Sequence, residues 1–363
     1  MAEIAMKSRI YLDHAATTPA RPEAVAAMAV AATMPGNPAS LHMDGQRAHG
    51  LLERARTSLA RFTARPADDI IFTSGGTEAI SLAITGSRLP LLAGATEHSA
   101  VLQHGPRMRL PVDSNGLLDL AALQQALREG PALVAVQHAN NETGTLQAID
   151  QIAPMVRAAG SLLLVDCVQS AGKRPLPPAD YIALSAHKMG GPMGAGALLA
   201  APGTPLMAHS NAQERGHRPG TPNLPGLAGW AAALDALAQS PPHWANVAAR
   251  RDALAARLTA AGAVLHSAAA PRAPHILSLG LPGVPATTQL MALDLAGFSV
   301  SAGAACSSGK SGPSHVLAAQ GLGDAAAQAI RISLSPHTTD EELAAFATAW
   351  EAMARRLAPK TAA

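Results

Sequence analysis

Aromatic side chains are scarce: 2% of the 363 residues, in a composition skewed toward Ala, Gly and Pro. That skew resembles the bias of a GC-rich genome and carries no functional signature. Cysteine is scarcer still, with Cys167 and Cys306 the only two. Two thiols do not make a disulfide framework in a chain this long, so both are read as free, and either could react. An excess of charge of one sign is also missing. The formal net charge is +2 and the basic residues are scattered, so neither a nucleic-acid groove nor a polybasic membrane patch is expected. No run of roughly eighteen residues is free of polar or breaker residues, and MAEIAMKSRIYLDHAATTP has no apolar core of signal-peptide length. No membrane span is expected, and the expected location is cytoplasmic.

What is present is apolar bulk. With 48% hydrophobic residues the chain can bury a large core, and its length suggests two domains. Short β-prone runs alternate with helix-length segments through the first two thirds: IIF (70–72), ALVAVQ (132–137), LLLV (162–165), YIAL (181–184) and GALLA (196–200). Helices are predicted over 44–63, 77–86, 118–129 and 149–159. Such alternation argues for an α/β fold, a mostly parallel sheet with helices on both faces and ligand chemistry at the strands' carboxyl ends. An Ala-rich helical stretch, 227–262, leads to a C-terminal part with strands at 275–281, 298–303 and 329–335 and a closing helix from 339. The domain change is placed inside that stretch.

Lysine is rare as well: Lys7, Lys173, Lys188, Lys310 and Lys360 are the only five. Lys188 lies in SAHKMGGPMGAGALLA among small and apolar neighbours. Desolvation there would favour a neutral amine able to form a Schiff base with a carbonyl substrate or with pyridoxal phosphate. The alternative is a lysine on a surface glycine turn.

The strand IIF runs into TSGGTEAISLAI, where Gly75, Gly76 and Thr77 would open a helix and offer backbone N–H groups to a phosphate. The segment matches neither the dinucleotide nor the P-loop pattern, and a plain N-capped turn also explains it. Asp166 ends the strand LLLV. A carboxylate there needs a cation or donor, such as a pyridinium nitrogen, unless it merely caps a helix. His98 and His187 could stack on a cofactor ring or bond its phosphate, or be structural. Asn140, Asn141 and Glu142 follow ALVAVQ and also fall at a strand's carboxyl end. Cys306, in SAGAACSSGKSGPSHVL with Lys310 nearby, reads as an accessible nucleophile or as a loop cysteine without a role. Cys167 reads as a packed small hydrophobe.

In order, the stretches YLDHAATTP (11–19), GNPASLHMDGQRAHGLLERAR (36–56), IIFTSGGTEAI (70–80), TEHSAV (96–101), NNETGTLQ (140–147), VDCVQSAGK (165–173), SAHKMGGPMG (185–194), QERGHRPGTPNLPG (213–226), SAGAACSSGKSGPSHVLAAQG (301–321) and IRISLS (330–335) resemble the cysteine desulfurases of the NifS/IscS type. Those enzymes belong to the class V aminotransferase group. The resemblance covers nearly the whole chain.

It implies a fold-type I pyridoxal-phosphate enzyme and a homodimer. The large cofactor-binding domain would span 15–245, and 1–14 with 246–363 would form a smaller α+β domain carrying the catalytic cysteine. Lys188 would anchor the cofactor, Asp166 pair with its ring nitrogen, Gln169 bond the ring hydroxyl and His98 stack on the ring. Gly76, Thr77, Ser185 and His187 would hold the phosphate, with Thr221 supplied by the partner subunit. Asn37, Asn141 and Arg331 would receive the carboxylate of L-cysteine, and Cys306 would take the sulfur as a persulfide for an acceptor protein. No metal is implied.

The sequence departs from the family pattern at Met193, at Ser210–Ala212, at Ala304 and Ala305, and in a shortened stretch from Ser87 to Asn115. None of these removes a catalytic group. The rival expectations are another class V enzyme, namely a selenocysteine lyase, a cysteine lyase or an aminotransferase, and a non-catalytic scaffold binding sulfur-transfer proteins.

Overall fold

Short runs of Leu, Ile, Val and Ala, buried on both sides, build the centre of the protein. The computed structural model describes residues 9–209, 213–303 and 313–357. Its strands are β1 (Ile10–Tyr11), β2 (Ile70–Thr73), β3 (Leu91–Gly94), β4 (Met108–Leu110), β5 (Leu133–Gln137), β6 (Leu162–Asp166), β7 (Tyr181–Ser185), β8 (Gly196–Ala200), β9 (Val264–Leu265), β10 (Ile276–Gly280), β11 (Phe298–Ser299), β12 (Ser301–Ala302) and β13 (Ala329–Ser333). The helices are α1 (Pro22–Ala32), α2 (Met43–Thr63), α3 (Gly76–Ser87), α4 (Ser99–Leu102), α5 (Leu120–Leu127), α6 (Ile149–Ala158), α7 (Leu224–Gln239), α8 (Trp244–Ala260), α9 (Ala286–Leu295), α10 (His315–Ala319) and α11 (Asp340–Leu357).

Seven strands pair in the order β2-β8-β7-β6-β5-β3-β4. Every pairing from β7 to β4 is parallel, as expected, while β8 runs antiparallel to both β2 and β7. Alternate side chains serve opposite faces. Val134, Val136, Leu163, Val165, Ile182 and Leu184 face one core with α2, α5, α6 and α7, whereas Leu133, Ala135, Leu164, Tyr181 and Ala183 face the other with α3. Burial on both faces explains why these strands read as unbroken apolar runs.

A second sheet, β12-β13-β10-β9, is antiparallel, and α8, α9 and α11 supply most of its core. Leu12 lies in that core and β1 pairs with β11, so residues 10–12 pack with the C-terminal part.

The continuous helix expected over 227–262 is two helices. Pro241 and Pro242 fall between α7 and α8, where proline can neither donate to the preceding turn nor admit its ring. FSVSAG likewise divides between two sheets, β11 pairing with β1 and β12 with β13. The short β3 and β4 went unanticipated. Among the described residues, no helix is long and apolar enough to cross a membrane.

Candidate active site

The ends of three strands meet at one point: Gly196 at the start of β8 pairs with Thr73 at the end of β2 and with Ser185 at the end of β7. Beside them, at the carboxyl ends of β5 and β6, opens a cavity of about 330 Å³. Gly76, Thr77, His98, Asn141, Asp166, Gln169, Ser185, His187 and Lys188 all line it, so residues spread over more than a hundred positions come together. Ala15 and Ala16, just beyond β1, close one side.

Lys188 ends the tight turn Ala186–Lys188 that follows β7. Its Nζ donates to the carbonyl oxygens of Ala15 and Ala16, the latter at 2.6 Å. This amine is held by backbone at the cavity wall, not turned into bulk solvent. Asp166 closes β6, and one carboxylate oxygen accepts the Val168 N–H at 2.9 Å. Burial pushes its pKa up, while that bond and the nearby His98 and Lys188 oppose the shift. His98 caps α4, its Nδ1 accepting the Ala100 N–H at 3.1 Å, and burial lowers its pKa. It is therefore a neutral imidazole with its proton on Nε2.

The start of α3 offers unpaired backbone donors. Helix α3 begins at Gly76 after Gly75, and no side chain among the described residues caps it, leaving the Gly76 and Thr77 N–H groups without helical acceptors. A Cβ at Gly76 would sit 2.5 Å from Val168 Cγ2, so only glycine allows the helix start to pack this close to the strand bearing Asp166. His187 is fixed by its Nδ1, 3.1 Å from Thr17 Oγ1, and its pKa is lowered to about 4 by burial and then by Lys188 and Lys173.

Other expected residues lie outside this lining. Arg331 is buried on β13 and bridges the carbonyl of Asn141 at 2.9 Å and Asp13 at 2.8 Å, so it adjoins the cavity through Asn141. Asn37 and Thr221 are exposed in the single chain. Cys306 falls outside the described residues. Asn140 is structural, its Oδ1 accepting the N–H groups of Glu142 and Thr143. Cys167 is fully buried, and burial pushes its thiol pKa up, as befits a packed residue.

Sequence reasoning missed several supporting groups. Glu97 is buried beside His98, accepts the Gln137 N–H at 3.0 Å and is pushed toward its protonated form by desolvation. The buried carboxylate of Glu142 takes the hydroxyl of Ser314, the residue capping α10. His275 and Lys173 approach from behind Gln169 and Lys188. Only the position of Glu142 at a strand's carboxyl end signalled any of this.

An amine, a carboxylate, a planar imidazole and an uncapped helix start around one cavity fit a phosphorylated pyridine aldehyde. Comparison with known proteins agrees. A cysteine desulfurase from Cereibacter sphaeroides is 39% identical over 361 residues, covering 92% of this chain and 93% of that one. A solved NifS-like protein superposes with a TM-score of 0.88 at 31% identity, covering 96% of this chain and all of the other, which establishes the fold as type I. A solved SspA in complex with cysteine superposes with a TM-score of 0.78 at 25% identity, covering 91% of this chain and 100% of that one. The family described as Aminotransferase class-V matches residues 10–346. The chain therefore belongs to the class V aminotransferases, and its cofactor is pyridoxal phosphate.

Proposed function

We propose that this protein is a cysteine desulfurase that converts L-cysteine to L-alanine and passes the sulfur through Cys306 to an acceptor protein. One observation carries the reading: Lys188, Asp166 and the uncapped start of α3 face the same cavity. Pyridoxal phosphate, when bound, supplies an electron sink next to the substrate's Cα.

The chain's own residues do the rest. Lys188 Nζ would anchor the cofactor and, as a free amine, would take the substrate's α-proton. Asp166 would hold the ring nitrogen protonated, Gln169 would bond the ring hydroxyl and His98 would lie against the ring. The N–H groups of Gly76 and Thr77, with Ser185 and His187, hold the phosphate, and Thr221 of a second copy completes that cup in a homodimer. Asn37, Asn141 and Arg331 receive the substrate carboxylate. The Cys306 thiolate would attack the substrate's Sγ; a bond between the two sulfurs forms as the Cβ–Sγ bond breaks, its electron pair stays with Cβ, which takes up a proton on the way to alanine, and a persulfide is left on the protein. Residues 15–245 form the cofactor domain, 1–14 with 246–363 the smaller one, and the protein is cytoplasmic. Two separate apolar cores, one drawing on Leu52 through Leu234 and the other on Leu12 with Val247 through Ala354, support that division.

The test is alanine release together with mass spectrometry of Cys306 after incubation with L-cysteine. Wild type should gain one sulfur at Cys306 and release alanine. Cys306→Ser should keep the cofactor's visible absorption while losing both products. Lys188→Ala should lose the covalent cofactor adduct trapped by borohydride. Unchanged alanine formation in Cys306→Ser would sink the desulfurase reading and favour another class V activity.

A further inference from the structure

Gln169 sits between two partners of opposite character. Its Nε2 donates to the carbonyl of Ala15 at 2.8 Å, and its Oε1 lies 3.4 Å from Nε2 of His275. The two ends of an amide have the same shape, so hydrogen bonding alone decides which way it faces. The Ala15 oxygen can only accept, and it also takes the Lys188 amine. Gln169 must therefore present its NH₂ to Ala15 and its oxygen to His275, and the imidazole must carry its proton on Nε2. One amide hydrogen is spent on Ala15. The other remains for an acceptor in the cavity that Gln169 lines.

We propose that His275, contributed by the C-terminal part of the chain just before β10, is a positioning residue that orients the Gln169 amide toward the cofactor. It acts through Gln169 and is not among the residues lining the cofactor cavity. His275 is only 1% exposed and lies edge-on to Trp244, with ring centroids 6.1 Å apart. Burial, reinforced by Lys173 and Arg331, holds its pKa well below the usual range. The ring therefore stays neutral with a single N–H, and that N–H is spent on Gln169. Its Nδ1 has no hydrogen-bond partner among the described residues, in keeping with the lone-pair nitrogen of that tautomer. The consequence is a rigid chain of contacts from the small sheet through Gln169 and Ala15 to the amine of Lys188.

This inference rests on Gln169 touching the bound cofactor, so the experiment separates the two ideas. Holoenzyme variants His275→Leu, His275→Gln, Gln169→Ala and the double variant His275→Leu/Gln169→Ala are compared by the position of the cofactor's visible absorption band and its release rate. His275→Leu should move the band and speed release about five- to tenfold, the effect of one unmade hydrogen bond. His275→Gln, which can donate from nearly the same place, should restore both. In the Gln169→Ala background the His275→Leu change should add nothing, because the amide it orients is gone. Equal effects of His275→Leu in both backgrounds, or an unmoved band in His275→Leu alongside a moved one in Gln169→Ala, overturn the positioning role. An unmoved band in Gln169→Ala removes the reading of Gln169 and this proposal with it. His275→Met takes the place of His275→Leu if the leucine variant does not fold.

Discussion

A single methyl group at Gly196, outside the cavity lining, should damage cofactor binding. A Cβ at that position would lie 2.5 Å from the Cα and 2.6 Å from the carbonyl carbon of Gly75. Ordinary contact begins near 3.4 Å, so about 0.9 Å must be found (3.4 minus 2.5). The atoms met are backbone and cannot swing aside. Either β8 bulges away from β2 and β7, or Gly75 retreats and takes the first turn of α3 with it. Overpacking of this kind costs about 1–3 kcal/mol, which lowers Tm by roughly 2–4 °C per kcal/mol in a domain of this size. The second cost falls on the cofactor. In the proposed reading the Gly76 and Thr77 N–H groups are the backbone donors for its phosphate, and each hydrogen bond to a charged group contributes about 1.5–3 kcal/mol. Losing the alignment of one should weaken pyridoxal phosphate binding about ten- to a hundredfold. Apoenzyme titrated with pyridoxal phosphate and followed by visible absorption gives the affinity; thermal unfolding of the same apoenzyme gives the packing cost. A lower Tm with unchanged affinity would show that β8 takes up the strain and Gly75 stays in place, which refutes the predicted effect on the cofactor. Gly196→Ala indistinguishable from wild type in both would refute the contact argument itself.

Two further contacts test the scaffold around the site. Arg56 and Glu214, both buried, form a two-pronged pair at 3.0 Å, and Glu214 also accepts the Phe72 N–H of β2 at 2.8 Å. Arg56→Ala strands that carboxylate and should cost about 3–5 kcal/mol in urea unfolding, with part of the loss recovered in Arg56→Ala/Glu214→Gln. Lys173 donates to the Lys188 carbonyl at 3.1 Å, and burial, then Lys188, lowers its pKa from 10.5 to about 7. Within that window the unfolded chain binds the extra proton, so this residue makes stability rise as pH increases from about 7 toward 10. Lys173→Met should flatten the rise, and parallel stability profiles for the two proteins would refute the assignment.

How much of this was legible depended on how local the cause was. GALLA announces β8 because five consecutive buried positions repeat one apolar character, and TSGGTEAISLAI announces the start of α3 because the glycines and the helix share one segment. LLAG and MRL do not announce β3 and β4: the first is a short run behind Pro90, and the second sits at the sheet edge with Arg109 exposed at its centre. Residues 227–262 read as one helix when alanine content is weighed above the proline pair; the backbone weighs them the other way. Residues facing the cavity from strand ends were identifiable because a parallel sheet dictates where ligands sit. The supporting groups were not. His275 matters through a residue 106 positions away, and Gly196 through a turn more than a hundred positions earlier, and no local pattern marks either pairing.

The segment from Leu12 to Thr18 shows why a short motif can be informative without contributing a reactive group. Leu12 is buried in the core of the small sheet, and Asp13 pairs with Arg331 on β13. Two residues on, the carbonyls of Ala15 and Ala16 receive Lys188, and Ala15 receives Gln169 as well. The Thr18 N–H then bonds the His187 carbonyl at 2.9 Å. One strap thus joins the C-terminal core to the cavity, and the groups it offers there to Lys188 and Gln169 are main-chain oxygens. Small side chains at Ala15 and Ala16 let that backbone approach the cavity wall. The same geometry couples the two cores: a displacement of the small sheet moves Asp13 and Leu12, and through them the acceptors that hold the amine of Lys188.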